Sequence, residues 1–194
     1  MSAGHVKSLP SCGHAASPVS DSELIARLAN GEIGALGELY DRHHEPVRRF
    51  LARATSDAED VDDLLSATFL AAAKSAARFD GRAACRPWLL GIAAQYLRRR
   101  RQSFGRWLKA LSSLSRIQAA AFDPRSALQA RNDVDRALRE ISEAQRVTFL
   151  MAEVEGLTCP EIAEALGIPV GTVWTRLHAA RRNLRAVLEE GIKP

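Results

Sequence analysis

The stretch EIAEALGIPVGTVWTRLHAARRNLR, residues 161–185, sets two short helical patterns on either side of a tight turn and ends the second in arginines. Thr158 and Glu161 have the spacing of a reciprocal helix cap, and Pro160 falls in the first turn, where its missing N–H costs little. Ile162, Ala163 and Leu166 make the inward face of this first helix. Gly167 supplies the permissive backbone of a helix end, and Pro169 stops the helix from continuing, so a second helix is expected from about Gly171.

On that second helix Val173, Leu177, Ala180 and Leu184 recur on one side at helical spacing. Thr172, Thr175, His178 and Arg182 lie about half a turn away, and Trp174, Arg176 and Arg181 flank the buried stripe. Hydroxyls let a helix approach base edges closely, and guanidinium groups clamp phosphates or guanine. A helical hairpin with a basic surface is the competing explanation. Against it, the segment 171–185 carries no acid, whereas a merely solvated face mixes both signs. These residues fit a helix-turn-helix with a DNA-reading second helix.

The rest of the chain is of a piece with this. Its 194 residues are 46% apolar but only 6% aromatic, enough for one domain or two small cores, and few stretches alternate with period two. The expected class is therefore all-α. Net charge is a modest +4, but charges are segregated: DAEDVDD (57–63) is acidic, and RRRRQSFGRWLK (98–109) holds six cations and no anion, as suits a polyanion partner. No apolar run approaches the ~18 residues of a membrane span, and the N-terminus lacks a secretory apolar core. Cys12, Cys85 and Cys159 are too scattered for a disulfide framework, so a cytoplasmic protein with reduced thiols is expected.

Residues 1–19, rich in Gly, Ser, Pro and Ala, read as a flexible tail. Between 20 and 102 four helical patterns follow one another. The first is capped by Ser20 with Glu23 and closed by Gly31, and its apolar face is Leu24, Ile25 and Leu28. The second, on Leu36, Leu39, Tyr40, His43, Val47 and Phe50, contains Pro46, which should kink or split it. The third begins after Ser56, with Glu59 three residues on, and buries Val61, Leu64, Leu65, Thr68, Phe69 and Ala72. The fourth carries Trp88, Leu89, Ile92, Ala93, Tyr96 and Leu97 and runs out into Arg98–Arg101. Residues 103–131 lose amphipathicity and read as a flexible linker with a transient helix near Trp107 to Leu114, and a second small helical domain is expected over 132–190, its Ser142 and Gln145 forming another cap.

Taken with LYDRHHEPVRRFL, VDDLLSATFLAAAKSAARFDG and RPWLLGIAAQYLRRRR in the first domain, the segment EGLTCPEIAEALGIPVGTVWTRLHAARRNL resembles bacterial sigma factors of the extracytoplasmic-function class. The resemblance runs from residue 21 to about 189. It implies a non-catalytic initiation subunit that binds core RNA polymerase and promoter DNA and is held inactive by an anti-sigma factor, with no cofactor. By the same resemblance the third helix, around Asp62, Asp63, Leu64, Leu65, Phe69 and Ala73, would dock on the polymerase. The loop 79–87 and the fourth helix would engage the minus-ten element, and the last helix would read the minus-thirty-five element. For the minus-ten role the residues in place are Arg82, Arg86, Trp88, Gln95, Arg98, Arg99, Arg100 and Arg101. Several positions depart from the family's habit: Ser66 and Ala67 stand where a Gln and an acid are usual, Gln95 where Asn is common, and Trp174 where a basic residue is usual.

Two other classes compete with this reading. A stand-alone helix-turn-helix regulator would bind duplex DNA unaided. A metal-dependent nucleic-acid enzyme would use the 57–63 acids, but these point around a whole helix and suit a dipole-compensating start. In the tail His5, Cys12 and His14 offer three metal ligands without a clear fourth, so no structural metal is expected there.

Overall fold

A computed structural model of the protein describes residues 19–55, 60–81, 84–114 and 133–191. Every regular element among them is helical. In the first domain these are α1 (Asp21–Ala29), α2 (Gly34–Ala54), α3 (Val61–Ser75), a 3-10 turn over Ala76–Arg78, and α4 (Cys85–Leu114). In the second they are α5 (Asp133–Glu140), α6 (Glu143–Phe149), α7 (Cys159–Leu166) and α8 (Val170–Gly191).

The local signals are realised by identifiable bonds. Ser20 Oγ accepts from the Glu23 N–H at 3.2 Å and starts α1. Asn30 caps its end, and Gly31, at φ 91°, donates its N–H to the Leu28 carbonyl. Such a φ favours glycine, which has no Cβ to clash. α2 stays a single helix through Pro46. The expected start of α3 at Ser56 and Glu59 falls outside the described residues, and α3 proper opens at Val61. α4 does not stop at the arginines but continues to Leu114, into the stretch expected to be linker. Past α6 one turn over Leu150–Val154 widens to π geometry, the Glu155 N–H reaching back five residues to Leu150 O at 3.0 Å.

α1, α2, α3 and α4 enclose the first core, built on Leu24, Ile25, Leu39, Val47, Phe50, Leu51, Leu65, Phe69, Leu89 and Leu90. α6, α7 and α8 enclose the second with α5 against α8, on Leu138, Ile141, Val147, Leu150, Met151, Ile162, Val173 and Leu177. Each buried side chain of this size contributes roughly 1.5–3 kcal/mol.

The two cores touch. α4 lies against α7 so closely that a Cβ on the buried Gly91 would sit 2.3 Å from the carbonyl oxygen of Ala165. α2 also reaches α6, where the buried Arg146 donates from Nη1 to Ala54 O at 3.1 Å and from Nη2 to the carbonyls of Arg139 and Ile141. Burial pulls this guanidinium below its ordinary value, and the neighbouring Glu143 opposes the shift. Among the described residues no helix is long and apolar enough to cross a membrane.

Candidate nucleic-acid interface

The turn before α8 is built as its sequence predicts. Thr158 Oγ1 accepts from Glu161 N, and Glu161 Oε2 accepts from both Thr158 N and Thr158 Oγ1, at 2.8 and 2.7 Å. These bonds hold the Glu161 carboxyl below its ordinary range. Gly167 takes the left-handed conformation, φ 64° and ψ 41°, and the Ile168 N–H returns to Ala163 O at 3.0 Å. α8 then starts at Val170, the carbonyl of Pro169 accepting from Thr172 N and Val173 N.

α8 buries Val173, Leu177, Ala180 and Leu184. Trp174 stands 60% exposed near its start. Thr175, His178 and Arg182 are exposed as well, and Thr172 and Arg176 are half-buried. The Thr175 hydroxyl donates to Gly171 O at 2.9 Å, which leaves its lone pairs for an incoming donor. Arg181 differs from its neighbours: Glu153 on the π turn accepts from its Nη2 at 2.5 Å and its Nε at 3.1 Å.

The cations nominated in the first domain are dispersed by the fold. Arg86 pairs with Glu155 of the second domain, a carboxylate only 5% exposed. Arg100 pairs with Asp60. Arg99 lies over the Tyr96 ring, 5.8 Å from its centroid. Trp88 is half-buried against Phe79, ring centroids 5.0 Å apart. Arg98 and Arg101, with Gln95, line a cleft of about 360 Å³ between the domains, and Arg176 of α8 lines the same cleft. Its remaining walls include Val147, Leu166 and Ile168, with Glu143 as the one acid among the described residues that line it. Arg98 and Arg101, expected at one promoter element, thus share a space with Arg176, expected at the other. Arg82 lies outside the described residues, as do His5, Cys12 and His14.

On α3, Asp62 and Asp63 are exposed and Ala73 is half-buried, but Leu64, Leu65 and Phe69 are core residues. At 4–5% exposure these three side chains pack the helix against its own domain. The exposed apolar side chain on this helix is Leu70, 57% accessible. Sequence reading passed over it, although its i, i+3, i+7 alignment with Asp63 and Ser66 puts it on the polar side. Arg48 donates to Asp62 at 3.4 Å, so with the Asp60–Arg100 pair two acids of the 57–63 block already answer cations. Arg146 and Glu155, which tie the domains together, were also missed. A buried arginine and a buried glutamate look like ordinary surface charges in a sequence.

Two families match the chain: Sigma-70 region 2 over residues 39–107 and Sigma-70, region 4 over residues 131–184. The ECF RNA polymerase sigma factor SigM of Mycobacterium tuberculosis is 32% identical over 171 residues, covering 87% of this chain and 85% of that one. The RNA polymerase sigma factor CarQ of Myxococcus xanthus is 30% identical over 169 residues, 86% of this chain and 96% of that one. Among solved structures, CnrH bound to the cytosolic domain of CnrY superposes with a TM-score of 0.62 at 25% identity, over 88% of this chain and 97% of that one. The sigma factor RpoE of Bartonella quintana, in complex with the anti-sigma factor NepR, shares the fold with a TM-score of 0.64 at 21% identity, over 79% of this chain and 96% of that one.

Proposed function

Since the chain belongs to the extracytoplasmic-function class of RNA polymerase sigma factors, and so directs core polymerase to promoters without catalysing a reaction, we propose how its surfaces divide that work. α8 reads the upstream, minus-thirty-five element in the major groove. Trp174, Thr175, His178 and Arg182 meet base edges and phosphates, with Thr172 and Arg176 at the margins. Arg181, engaged by Glu153, contributes through the rigidity it gives the helix. The loop after α3 and the exposed side of α4, with Arg82, Arg86, Gln95 and Arg98–Arg101, hold the minus-ten element.

Opening a duplex takes a few kcal/mol for each base removed from the stack. A subunit that does not hydrolyse nucleotide recovers this by gripping the displaced strand, where stacking and cationic contacts return about 1–3 kcal/mol per base. Asp62, Asp63, Leu70 and Ala73 on α3 form the polymerase-docking side, an apolar patch with charged borders of the sort that takes a partner helix. The second domain's boundaries, about 132–190, follow from the same assignment.

The observation that carries this reading is the shared cleft: Gln95, Arg98 and Arg101 of one domain face Arg176 of the other. DNA does not enter a space of that size, so engagement through Gln95, Arg98, Arg101 and Arg176 together requires the domains to separate. An anti-sigma factor that favours the closed pair would keep these four side chains from DNA. A stand-alone operator-binding regulator is the weaker alternative, since it has no use for a first domain of this kind.

The test is double alanine replacement at Arg176 and Arg182, with binding to upstream-element DNA measured across salt concentrations. Each lost phosphate contact should flatten the slope of log affinity against log salt by about one. An unchanged slope would displace the DNA face from α8. Copurification with core polymerase and promoter-dependent transcription check the first domain's role.

A further inference from the structure

At the seam of α1, α2 and α4, beside the loop assigned to the minus-ten element, three side chains with ligand chemistry meet. Asp21 opens α1, His43 lies in the middle of α2, and Cys85 opens α4. One ligand atom from each lies within 4.8 Å of the other two. His43 Nε2 and Asp21 Oδ2 are 2.8 Å apart. Arg42 Nη1 donates to the other Asp21 oxygen at 2.9 Å and to Val19 O at 2.6 Å. Cys85 is a free thiol, and it is buried.

We propose that Asp21, His43 and Cys85 bind a transition-metal dication of the zinc class through carboxylate, imidazole and thiolate, with solvent in the fourth position. Metal–ligand bonds of about 2.0–2.3 Å set tetrahedral edges of roughly 3.5 Å. The His43–Asp21 distance must open slightly and the longest separation must close by about an ångström, within reach of side-chain rotation. Partial exposure of Asp21 and His43 leaves a route and a place for water.

The donor set selects the ion: thiolate and imidazole suit zinc or cobalt, and magnesium and calcium demand oxygen ligands. Thiolate and carboxylate together balance the dication. Arg42 acts as the outer partner that orients a ligating carboxylate. Burial pushes the Cys85 thiol up to about 12, so without metal it is a neutral, apolar group in the core. Binding expels its proton to solvent. Such an ion would pin α1, α2 and the start of α4 together. The site stands whether or not the surface assignments above hold.

The test uses the full chain carrying Cys12→Ser and Cys159→Ser, so that Cys85 is the single thiol. Metal is stripped with a chelator and Co²⁺ is titrated in. The expected result is a thiolate-to-cobalt charge-transfer band that saturates at one equivalent and is displaced by Zn²⁺. His43→Gln and Asp21→Asn should each weaken cobalt binding at least tenfold, with circular dichroism confirming the fold of each. Absence of the band overturns the proposal. So does a band that neither replacement affects, because the thiolate would then be binding cobalt with other partners.

Discussion

Thr158 and Glu161 show how much a single pair can specify. The hydroxyl satisfies the Glu161 N–H, and the carboxylate satisfies the Thr158 N–H and hydroxyl, so α7 begins at one place only. Thr158→Ala is expected to destabilise the second domain by about 1 kcal/mol at neutral pH, read from thermal or denaturant melts. A pH dependence accompanies it. The Glu161 carboxyl is held below its ordinary 4.5 by its bonds to Thr158. Its stabilising contribution is therefore complete above that value and fades as pH falls through the lower, folded-state value. The gap between wild type and Thr158→Ala should narrow in acid, and a constant gap would detach the carboxylate from the cap. Both this cap and the Ser142–Gln145 cap were legible in the sequence, because both partners lie within one helical turn. The pairing of Arg86 with Glu155, 69 residues away, was not.

Helix α3 separates two functions that the sequence merges. Its buried stripe is the one its spacing predicts: Val61, Leu64, Leu65, Thr68, Phe69 and Ala72. Leu64, Leu65 and Phe69 are buried in the free chain, however, and the accessible leucine is Leu70. Leu65→Ala should cost about 2–5 kcal/mol of stability, as buried leucine truncations do. Leu70→Asp should change stability by no more than about 0.5 kcal/mol while weakening copurification with core polymerase. Wild-type polymerase binding by Leu70→Asp would remove this face from the docking surface. Helix α4 teaches a related lesson about ends. Between Gln102 and Leu114 stand Arg106, Leu108, Lys109, Ala110 and Leu111, good helix formers, and Gly105 is the one strongly unfavourable residue, so a helix already nucleated continues. Amphipathic periodicity and helix propensity are separate properties, and losing the first does not end a helix.

The joint between the domains rests on a glycine. Gly91 lets α4 approach the Ala165 carbonyl more closely than any Cβ permits, and a backbone atom is not easily displaced. Gly91→Ala should therefore wedge α4 from α7 and enlarge the particle seen by small-angle X-ray scattering. The first domain should not lose stability, because alanine is the better helix former by about 1 kcal/mol. Freed of the cleft, Gln95, Arg98, Arg101 and Arg176 should bind promoter DNA more readily. Unchanged scattering and unchanged DNA affinity together would mean that the contact exerts no control.

Sequence alone determined the helical class, the two-domain plan, the caps, the turn before α8 and the inward stripes. Each of these depends on residues a few positions apart, where the helical repeat and backbone preferences act. Only the folded chain decided which charges are available. Arg86, Arg100 and Arg181 are engaged by Glu155, Asp60 and Glu153, residues remote in sequence, while Arg176 turns toward the arginines of the other domain. The strength of a charge depends on what packs against it, and no local pattern encodes that. The same reason placed Asp21, His43 and Cys85 around one point: helix packing, not spacing along the chain, brought them together.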